Sequence, residues 1–512
     1  MPRPGWAVLG AILLCAGWLR FTGLDFGGPD IPARPDEGGF PYTLDALSRG
    51  SIFPPLPIYG GGFFFPAYGF VRVLDWLQPA DLGIGDLHAT ILAGRAFSAA
   101  VGTVTIFLVW CIARRLYDWR AGLLAALALA FNPLAVREAH FAKADTAAAL
   151  AIAIFLLCLA TEWRTLLRRA CAIGAGLAIA LSTKASIGVL PAAGLALLGR
   201  DVGEWRHFNR RTLLAGGLAT LLVFVLLNPF WLTHPRDSWS FWMATIDALK
   251  SGSWFPGTAP STGPLAYHFG VTARYGLGWA GTILVAPALI FGLLRGGAAR
   301  LIAIACLGQI AKLSSSPMAL ARYALPIVPG LLVLSAVLIV YIWDRIPWPA
   351  MWRAVTLGLV ALLLVLEPAE RSVRLAHLLT LADTRELAAV WVAENLPEDG
   401  IVLSWGAPPR ARDWGLPPMG RRRVLRGLLP AEAYAQGARW LVRHEYPTAY
   451  STEPLVPVGR LVASFDPYTG VGPAPVVETF DAFYLPIGNL ESVERPGPRI
   501  TIYALEAPRD RQ

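Results

Sequence analysis

Two adjacent carboxylates, Asp36 and Glu37, lie in the stretch FGGPDIPARPDEGGFPYTLDALSRG (26–50), which is rich in proline and glycine. Proline and glycine interrupt regular helices, so the pair is expected in a loop rather than in a membrane span. A loop carboxylate can take a proton from an attacking hydroxyl or amine and so serve as a general base. The alternative is a solvated pair, because most acidic loop residues are simply hydrated.

Other ionisable residues lie at or near the ends of apolar runs, in the segments REAHFAKADT (137–146), STKAS (182–186), THPRD (233–237), YHFGVTARYG (267–276) and KLSSSPMALARY (312–323). Taken singly, each has a structural explanation, such as a lysine that snorkels to the interface or an acid at a helix start. Taken together on one face, an acid beside several cations suits group transfer from a lipid phosphate. Lysine and arginine would stabilise the charge that develops on the leaving phosphate, and a single activated nucleophile would invert the sugar carbon.

The elements that must position these residues are membrane helices. Of 512 residues, 55% are hydrophobic and only 15% are charged, whereas a soluble protein carries about a quarter charged residues. About eleven apolar runs approach the length that crosses a bilayer, at residues 6–24, 89–115, 121–136, 146–161, 170–183, 185–199, 212–232, 275–295, 300–313, 323–343 and 353–368. The first run is expected to be a retained helix rather than a signal peptide, because no small-residue cleavage site follows it. The composition therefore predicts a polytopic α-helical membrane protein.

Arginine sets the expected orientation. With the N-terminus inside, the connections ARRLYDWR, EWRTLLRR, GRDVGEWRHFNRR, RGGAAR and WDRIPWPAMWR all fall on the cytoplasmic side, as the positive-inside rule requires. The net charge of +9 follows from this topology, and no nucleic-acid partner is expected. The candidate residues then share the outer face.

Two domains are expected. Residues 1–369 form the membrane domain, with long outside loops at 25–88 and 233–274, and residues 370–512 form a soluble α/β domain outside the membrane. In the second domain, DTRELAAVWVAENLPEDGIVLSWG predicts a helix, a turn and a buried strand, and ARWLVRHEY and PRITIYALEAP predict further strands. In the first loop, FFFPAYGFVRVLDWLQ predicts an interfacial helix. The five cysteines all lie in apolar runs, so neither disulfides nor a cysteine metal site is expected.

These segments resemble the membrane-embedded, lipid-phosphate-sugar-dependent glycosyltransferases of the GT-C fold, and within them glycosyltransferase family 39, the protein O-mannosyltransferase-like group with its bacterial relatives. The acidic pair in a long first outside loop carries the resemblance. It is supported by HFAKADTAAALAIAIFLL, LSTKASIGVLP, LLNPFWL, ARYALPIVPGLLVL and DTRELAAVWVAENLPEDG, in that order along the chain.

The resemblance implies an inverting transferase with a polyprenyl-phosphate sugar as donor, mannose or a related hexose or pentose, and no cofactor. It implies that Asp36 is the acceptor base and that Glu37 supports it or orients the acceptor. The acceptor is left open between protein, lipid and glycan, because the β-trefoil insertion of eukaryotic protein mannosyltransferases is absent from the sequence. The implied location is the inner membrane of a bacterium, with the tail in the periplasm.

The same resemblance implies that Lys143, with His140 nearby, faces the donor phosphate, and that Arg322 and Lys184 are further substrate contacts. Asp145 would orient Lys143 or the sugar. No metal is expected, although Asp36, Glu138 and His140 offer oxygen and nitrogen ligands. Two alternatives stay open: a transporter or flippase for a lipid-linked sugar, and a lipid- or glycan-modifying enzyme of the aminoarabinose-transferase type.

Overall fold

The computed structural model describes residues 3–28, 35–52, 59–77, 86–198, 210–251, 262–347, 349–406, 416–445, 459–478 and 485–506. By packing, the chain divides into two units. The first, here called the membrane unit, comprises residues 1–24 and 39–373, and the second, the C-terminal unit, comprises 25–38 and 374–512. The expected division of the chain into domains at residue 370 stays a prediction.

The membrane unit is built from helices. In chain order they are α1 (Arg3–Phe21), α2 (Gly39–Ser48), α3 (Gly61–Leu77), α4 (Leu87–Leu116), α5 (Trp119–Ala130), α6 (Pro133–Glu138), α7 (Ala144–Ala160), α8 (Leu166–Lys184), α9 (Leu190–Leu197), α10 (Arg210–Leu227), α11 (Phe230–Thr233), α12 (Pro235–Ser251), α13 (Pro264–Tyr267), α14 (Arg274–Arg295), α15 (Gly297–Ser314), α16 (Val328–Trp343) and α17 (Ala350–Leu378). A π-helical turn (His268–Ala273) precedes α14, and 3-10 turns precede α9 (Ile187–Val189) and α16 (Ala321–Ile327). The last turns of α17, from residue 374, belong to the C-terminal unit.

Among the described residues, seven helices are long and apolar enough to cross a membrane: Leu87–Leu116, Leu166–Lys184, Arg210–Leu227, Pro264–Arg295, Gly297–Ser314, Ala321–Trp343 and Met351–Leu378. Four shorter apolar helices accompany them, at Gly5–Phe21, Trp119–Ala130, Ala144–Ala160 and Ile187–Leu197. Each predicted apolar run coincides with one of these helices. The predicted fold class, a polytopic helical membrane protein, is confirmed, while eleven crossings stay a prediction.

Local sequence explains where the helices begin and end. Asp118 and Thr165 cap α5 and α8 by accepting hydrogen bonds from backbone N–H groups of the first turn, the usual role of a short polar side chain at that position. Asn228 ends α10 because the proline after it disfavours helical backbone. Small residues let α8 and α10 approach closely, since a Cβ at Gly174 would lie only 2.2 Å from the carbonyl oxygen of Gly216.

The predicted helix in the first outside loop is present as α3. Phe63, Phe64 and Val71 on one face are buried, together with Phe40 and Phe97 of neighbouring helices. Its C-terminal end is exposed, with 79% of Trp76 accessible. The helix is confirmed, and its position along a membrane surface stays a prediction. The second expected loop contains helix α12, which the sequence analysis missed because Trp, Ser and charged residues obscured its periodicity.

The C-terminal unit contains a five-stranded mixed sheet. Its elements are a 3-10 turn (Pro35–Gly38), α18 (Thr384–Asn395), β1 (Ile401–Trp405), β2 (Arg423–Leu425), α19 (Pro430–Ala435), β3 (Trp440–Glu445), β4 (Arg460–Phe465), a 3-10 turn (Leu490–Ser492) and β5 (Arg499–Ala504). The strand order is β2-β1-β3-β5-β4, with β2, β1 and β3 parallel and β5 antiparallel to both of its neighbours. The predicted helix and three predicted strands are confirmed as α18, β1, β3 and β5.

Both faces of the central strands are buried, as parallel strands require. Val402 and Val442 pack with α18 on one face, and Leu403 and Leu441 pack with α19 on the other. The sequence analysis missed β2 and β4 because β2 is only three residues long within an arginine-rich run and β4 is a largely exposed edge strand.

Candidate functional site

The membrane unit holds a cluster of buried charges around Asp145. Asp145 lies in the first turn of α7, where the helix dipole favours a carboxylate. Its oxygens pair with the ammonium of Lys184 and, at 3.7 Å, with that of Lys143. Arg322 lies close enough for a direct charge–charge attraction to the same carboxylate. The structure therefore brings together four residues that the sequence analysis singled out.

These charges are inside the protein. Lys143 and Asp145 are each 1% exposed, and Arg322 is 7% exposed, while the side chain of Lys184 is 19% exposed. Removing charges from water is expensive unless they are paired. Such groups within a membrane protein usually serve a function.

The end of α8 presents Lys184 to this cluster. Ala185, the residue after it, has a left-handed backbone with φ 36°, and its N–H closes the helix on the carbonyl of Leu181. The carbonyl of Ala185 in turn accepts a hydrogen bond from the ammonium of Lys312 at 3.0 Å. Lys312 is a further cation near Lys184 that the sequence analysis did not select, although it lies in one of the quoted outer-face segments.

Two aromatic rings flank the Lys184 ammonium. It lies 4.7 Å from the ring centre of Tyr323 and 5.8 Å from that of Tyr59, distances at which a cation is attracted to the ring face. The guanidinium of Arg322 lies 5.6 Å from the Tyr323 ring. Neither tyrosine was selected as a site residue, although Tyr323 ends one of the quoted segments, since a tyrosine beside an apolar run is indistinguishable from a packing residue by sequence alone.

Tyr59 is held near Lys184 by a close contact between the start of α3 and the end of α8. The amide of Asn228 accepts from the N–H of Gly61 at 3.0 Å and donates to the hydroxyl of Ser182 at 2.7 Å. A Cβ at Gly60 would lie 1.9 Å from the carbonyl oxygen of Ser182, so only glycine permits this approach. Asn228 and the segment LSTKAS, quoted as separate motifs, thus act together to hold the start of α3 against the end of α8.

His140 lies in the buried turn that leads to Lys143. Its Nδ1 is 2.8 Å from the carbonyl oxygen of Val136 and its Nε2 is 3.0 Å from that of Thr22. Burial lowers the pKa of His140 to about 4, and the two carbonyl contacts act in the opposite direction. These contacts show that His140 stabilises the turn between α6 and α7. Its expected role at the donor phosphate stays a prediction.

The acidic pair lies in the other unit. Asp36 and Glu37 form part of the 3-10 turn Pro35–Gly38 of the C-terminal unit. Glu37 is fully buried and Asp36 is half-buried, so Glu37 differs from the hydrated acid of the simpler alternative. The roles of both residues stay predictions.

Within the part of the chain that the structure describes, no group of three or more His, Cys, Asp or Glu side chains is arranged to hold a metal ion. The membrane unit does contain an apolar cavity of about 90 Å³. The cavity is bordered by the 3-10 turn that carries Arg322, and its lining includes Leu134, Phe269, Leu313, Ala324, Ile327 and Leu331.

Comparison with known proteins adds a family match over part of the chain and a fold. The family model for dolichyl-phosphate-mannose-protein mannosyltransferases matches residues 73–231, under a third of the chain but including Lys143, Asp145 and Lys184. Comparison with curated protein sequences gave no match.

Several solved structures share the architecture. The apo oligosaccharyltransferase of Archaeoglobus fulgidus is 12% identical with a TM-score of 0.54, over 86% of this chain and 69% of its own. ArnT from Cupriavidus metallidurans bound to undecaprenyl phosphate is 16% identical with a TM-score of 0.54, over 87% of this chain and 94% of its own. Apo ArnT from the same organism matches over 98% of both chains with the same identity and score.

Likeness at these identities establishes the fold and leaves the activity to be argued. The resemblance predicted from the sequence is confirmed: the chain has the GT-C architecture, and its residues 73–231 match the mannosyltransferase family model.

Proposed function

We propose that the chain is an integral membrane glycosyltransferase that moves a sugar from a polyprenyl-phosphate donor to an acceptor hydroxyl at the outer face of the membrane. The observation that carries the proposal is the convergence of Lys143, Lys184 and Arg322 on the single carboxylate of Asp145. Like charges held together in a buried place repel one another, and an anionic substrate group offsets that cost. A phosphate on a lipid carrier supplies such a group and reaches the site through the membrane.

The relatives support the choice of donor. One of the similar structures is ArnT bound to undecaprenyl phosphate, and the matching family model is that of enzymes that use dolichyl-phosphate-mannose. The apolar cavity beside the Arg322 turn would receive the start of the isoprenoid chain. Within the donor class we infer mannose or a related hexose or pentose.

The proposed chemistry is a single displacement. The acceptor oxygen attacks the anomeric carbon, the bond from that carbon to the phosphate oxygen breaks, and the lipid phosphate leaves with both electrons. Asp36 takes the acceptor proton, and Glu37 supports it. The configuration at the anomeric carbon is inverted, as with other single displacements of this type.

The cations act where negative charge grows. The donor is a phosphodiester with one negative charge, and the leaving lipid phosphate is a monoester with up to two, so Lys184 and Arg322 interact more strongly with the departing group than with the donor. Interactions that strengthen along the reaction accelerate it. Lys143 and His140 complete the donor side, and Asp145 orients the two lysines. The mechanism uses no cofactor or metal.

The acceptor is a protein, lipid or glycan hydroxyl, and the enzyme is placed in the inner membrane of a bacterium with its tail in the periplasm. An aminoarabinose-type transferase remains within this scheme, since only the sugar and the acceptor differ. A flippase for a lipid-linked sugar is the second candidate, because the same cations would escort a phosphate without any bond breaking.

The test is transfer of radiolabelled sugar from polyprenyl-phosphate mannose, and from other polyprenyl-phosphate sugars, in membranes that contain wild type, Asp36→Asn or Asp45→Asn at equal amounts. Asp45 is the control, since it follows Asp36 closely in sequence but lies in α2 and pairs with Arg49 on the surface. We expect transfer by wild type and Asp45→Asn and its near-complete loss in Asp36→Asn. Equal transfer by all three would remove Asp36 from the reaction. Movement of intact donor across vesicles without transfer would favour the flippase.

A further inference from the structure

A second cluster of charged and aromatic residues lies where five helix ends of the membrane unit meet. The ring of Tyr341, near the end of α16, contacts the rings of Phe291 in α14 and Tyr117 after α4, at centre-to-centre distances of 4.9 and 6.3 Å. The connections that follow α4, α14 and α16 are three of the arginine-rich segments that the sequence places on the cytoplasmic side. None of these residues belongs to the proposed catalytic site.

The carboxylates of this cluster are already engaged. Asp344 accepts two hydrogen bonds from Arg120, at 2.9 and 2.8 Å, and one from the hydroxyl of Tyr117 at 2.6 Å. Asp118 caps α5 and binds the same arginine at 2.6 Å. Arg120 thus forms ion pairs with both carboxylates, Asp118 and Asp344.

Three other arginines are held by rings instead. The guanidinium of Arg295 lies 5.4 Å from the ring centres of both Tyr117 and Tyr341, and that of Arg345 lies 3.4 Å from the ring centre of Tyr341. Arg353 lies 5.3 Å from the ring of Trp343. Stacking on a ring fixes a guanidinium without using its N–H groups. Arg295 and Arg345 each donate one hydrogen bond to a backbone carbonyl, of Leu116 at 3.4 Å and of Tyr341 at 3.1 Å, and a guanidinium has five N–H groups, so others remain to bind an anion.

The ion pairs within 4 Å among the described residues include none of these three arginines. Arg353 does help Arg120 and Tyr117 to hold the pKa of Asp344 below its usual range against the effect of burial, but it does so from a longer distance. The side chains of Arg295, Arg345 and Arg353 are exposed.

Exposed apolar side chains surround them. Leu294 is 78% exposed, Met351 is 75% exposed and Ile342 is 50% exposed, and all three lie at ends of helices that are apolar enough to span a membrane. Apolar side chains next to exposed arginines suit a phospholipid, because its acyl chains can contact the apolar side chains while its phosphate binds the arginines.

We propose that Arg295, Arg345 and Arg353, here called the arginine surface, bind the headgroup phosphates of an anionic phospholipid. Cytoplasmic arginines that only set topology need no fixed geometry. Here two rings each hold two arginines, since Tyr341 holds Arg295 and Arg345 and Trp343 holds Arg120 and Arg353. Such preorganisation lowers the entropic cost of binding a ligand.

The experiment is native mass spectrometry of the delipidated protein with cardiolipin, phosphatidylglycerol and phosphatidylcholine. Wild type is compared with the double variant Arg295→Gln and Arg345→Gln. The control double variant, Arg164→Gln and Arg168→Gln, removes the same charge from exposed positions in another connection of the same predicted side. Each basic residue near an anionic surface contributes about 1 kcal/mol to binding, which corresponds to roughly fivefold in affinity. The Arg295→Gln and Arg345→Gln variant should therefore bind the anionic lipids at least about tenfold more weakly than wild type, and the control variant should not.

A charge-neutral variant keeps the proposal testable if the double variant folds poorly. Tyr341→Leu removes the ring that Arg295 and Arg345 share and leaves the net charge unchanged, so weaker binding of anionic lipid is expected from protein that melting shows to be folded. Equal losses in the two double variants would reduce the effect to bulk charge and overturn the proposal. Equal binding of phosphatidylcholine and the anionic lipids by wild type would overturn it as well.

Discussion

Replacing Lys184 by methionine tests the charge cluster through protein stability. The variant leaves the carboxylate of Asp145, which is 1% exposed, without its nearest cation. Removing one partner of a buried ion pair costs about 3–5 kcal/mol. Lys184 keeps 19% of its side chain exposed and Lys143 remains 3.7 Å from the carboxylate, so we expect a cost at or just below the lower end of that range, about 2–3 kcal/mol.

The double variant Asp145→Asn with Lys184→Met separates charge from shape. An amide has the size of the carboxylate but no charge, so the attraction between Lys184 and Asp145 that each single variant removes is lost only once in the double variant. We expect the double variant to be destabilised by less than the sum of its two single variants, with a coupling energy of at least about 1 kcal/mol.

The assay is thermal melting in detergent, with Lys250→Met as the control because Lys250 is exposed on α12. Wild type and Lys250→Met are expected to melt highest and Lys184→Met lower, and the double variant is expected to melt above the temperature that the summed effects of its two single variants would give. An unchanged melting temperature for Lys184→Met, or a double variant as destabilised as the sum of its two single variants, would refute the reasoning.

Three further predictions concern other parts of the membrane unit. Hydrogen bonding lowers the pKa of Asp344 and raises that of Tyr117, so it stabilises the fold between the unfolded-state pKa values of about 4 and 10. The contribution of Asp344 is lost as pH falls through its folded-state pKa, and that of Tyr117 is lost as pH rises through its folded-state pKa. Asp344→Asn should therefore lower the melting temperature at pH 7 and lessen its fall below pH 4. Gly278→Ala should cost about 2–3 kcal/mol, because φ is 72° there and a Cβ would lie 2.9 Å from a carboxylate oxygen of Glu367; chemical denaturation in detergent measures it. Ala185→Gly should stabilise by roughly 0.5–1 kcal/mol by relieving the left-handed backbone, and a lower melting temperature would show that the turn is not strained.

The sequence predicted those features that depend on composition and on the spacing of hydrophobic residues. All the apolar runs became helices because long hydrophobic stretches have few other stable forms in a membrane. The helix at 384–395 and the strands at 401–405, 440–445 and 499–504 were found because their apolar residues recur at helical or alternating spacing. Arg423–Leu425 was missed because a three-residue strand has no period to detect.

The candidate site was predicted in part. Lys143, Asp145, Lys184 and Arg322 were selected because charges at the ends of apolar runs are costly and therefore conspicuous. Tyr59 was missed because its position next to Lys184 depends on a backbone approach between Gly60 and Ser182. Contacts between residues so far apart in sequence depend on tertiary packing, which a single sequence does not display.

The packing of residues 25–38 with the C-terminal unit was also not predicted. The sequence analysis assigned Asp36 and Glu37 to the loop of the membrane domain because they follow its first helix directly. Loops can pack against distant parts of a chain, and neither hydrophobic period nor charge indicates which part.

Equilibrium binding of radiolabelled polyprenyl phosphate to the purified protein tests most directly whether the cluster around Asp145 is a lipid-phosphate site. Wild type, Lys184→Gln and the exposed control Lys250→Gln are compared at a temperature where melting shows that all three are folded. A hydrogen bond between charged partners contributes about 1.5–3 kcal/mol, so Lys184→Gln should bind roughly tenfold to a hundredfold more weakly while Lys250→Gln binds like wild type. Equal affinity for all three proteins would contradict the assignment of the cluster to the donor phosphate.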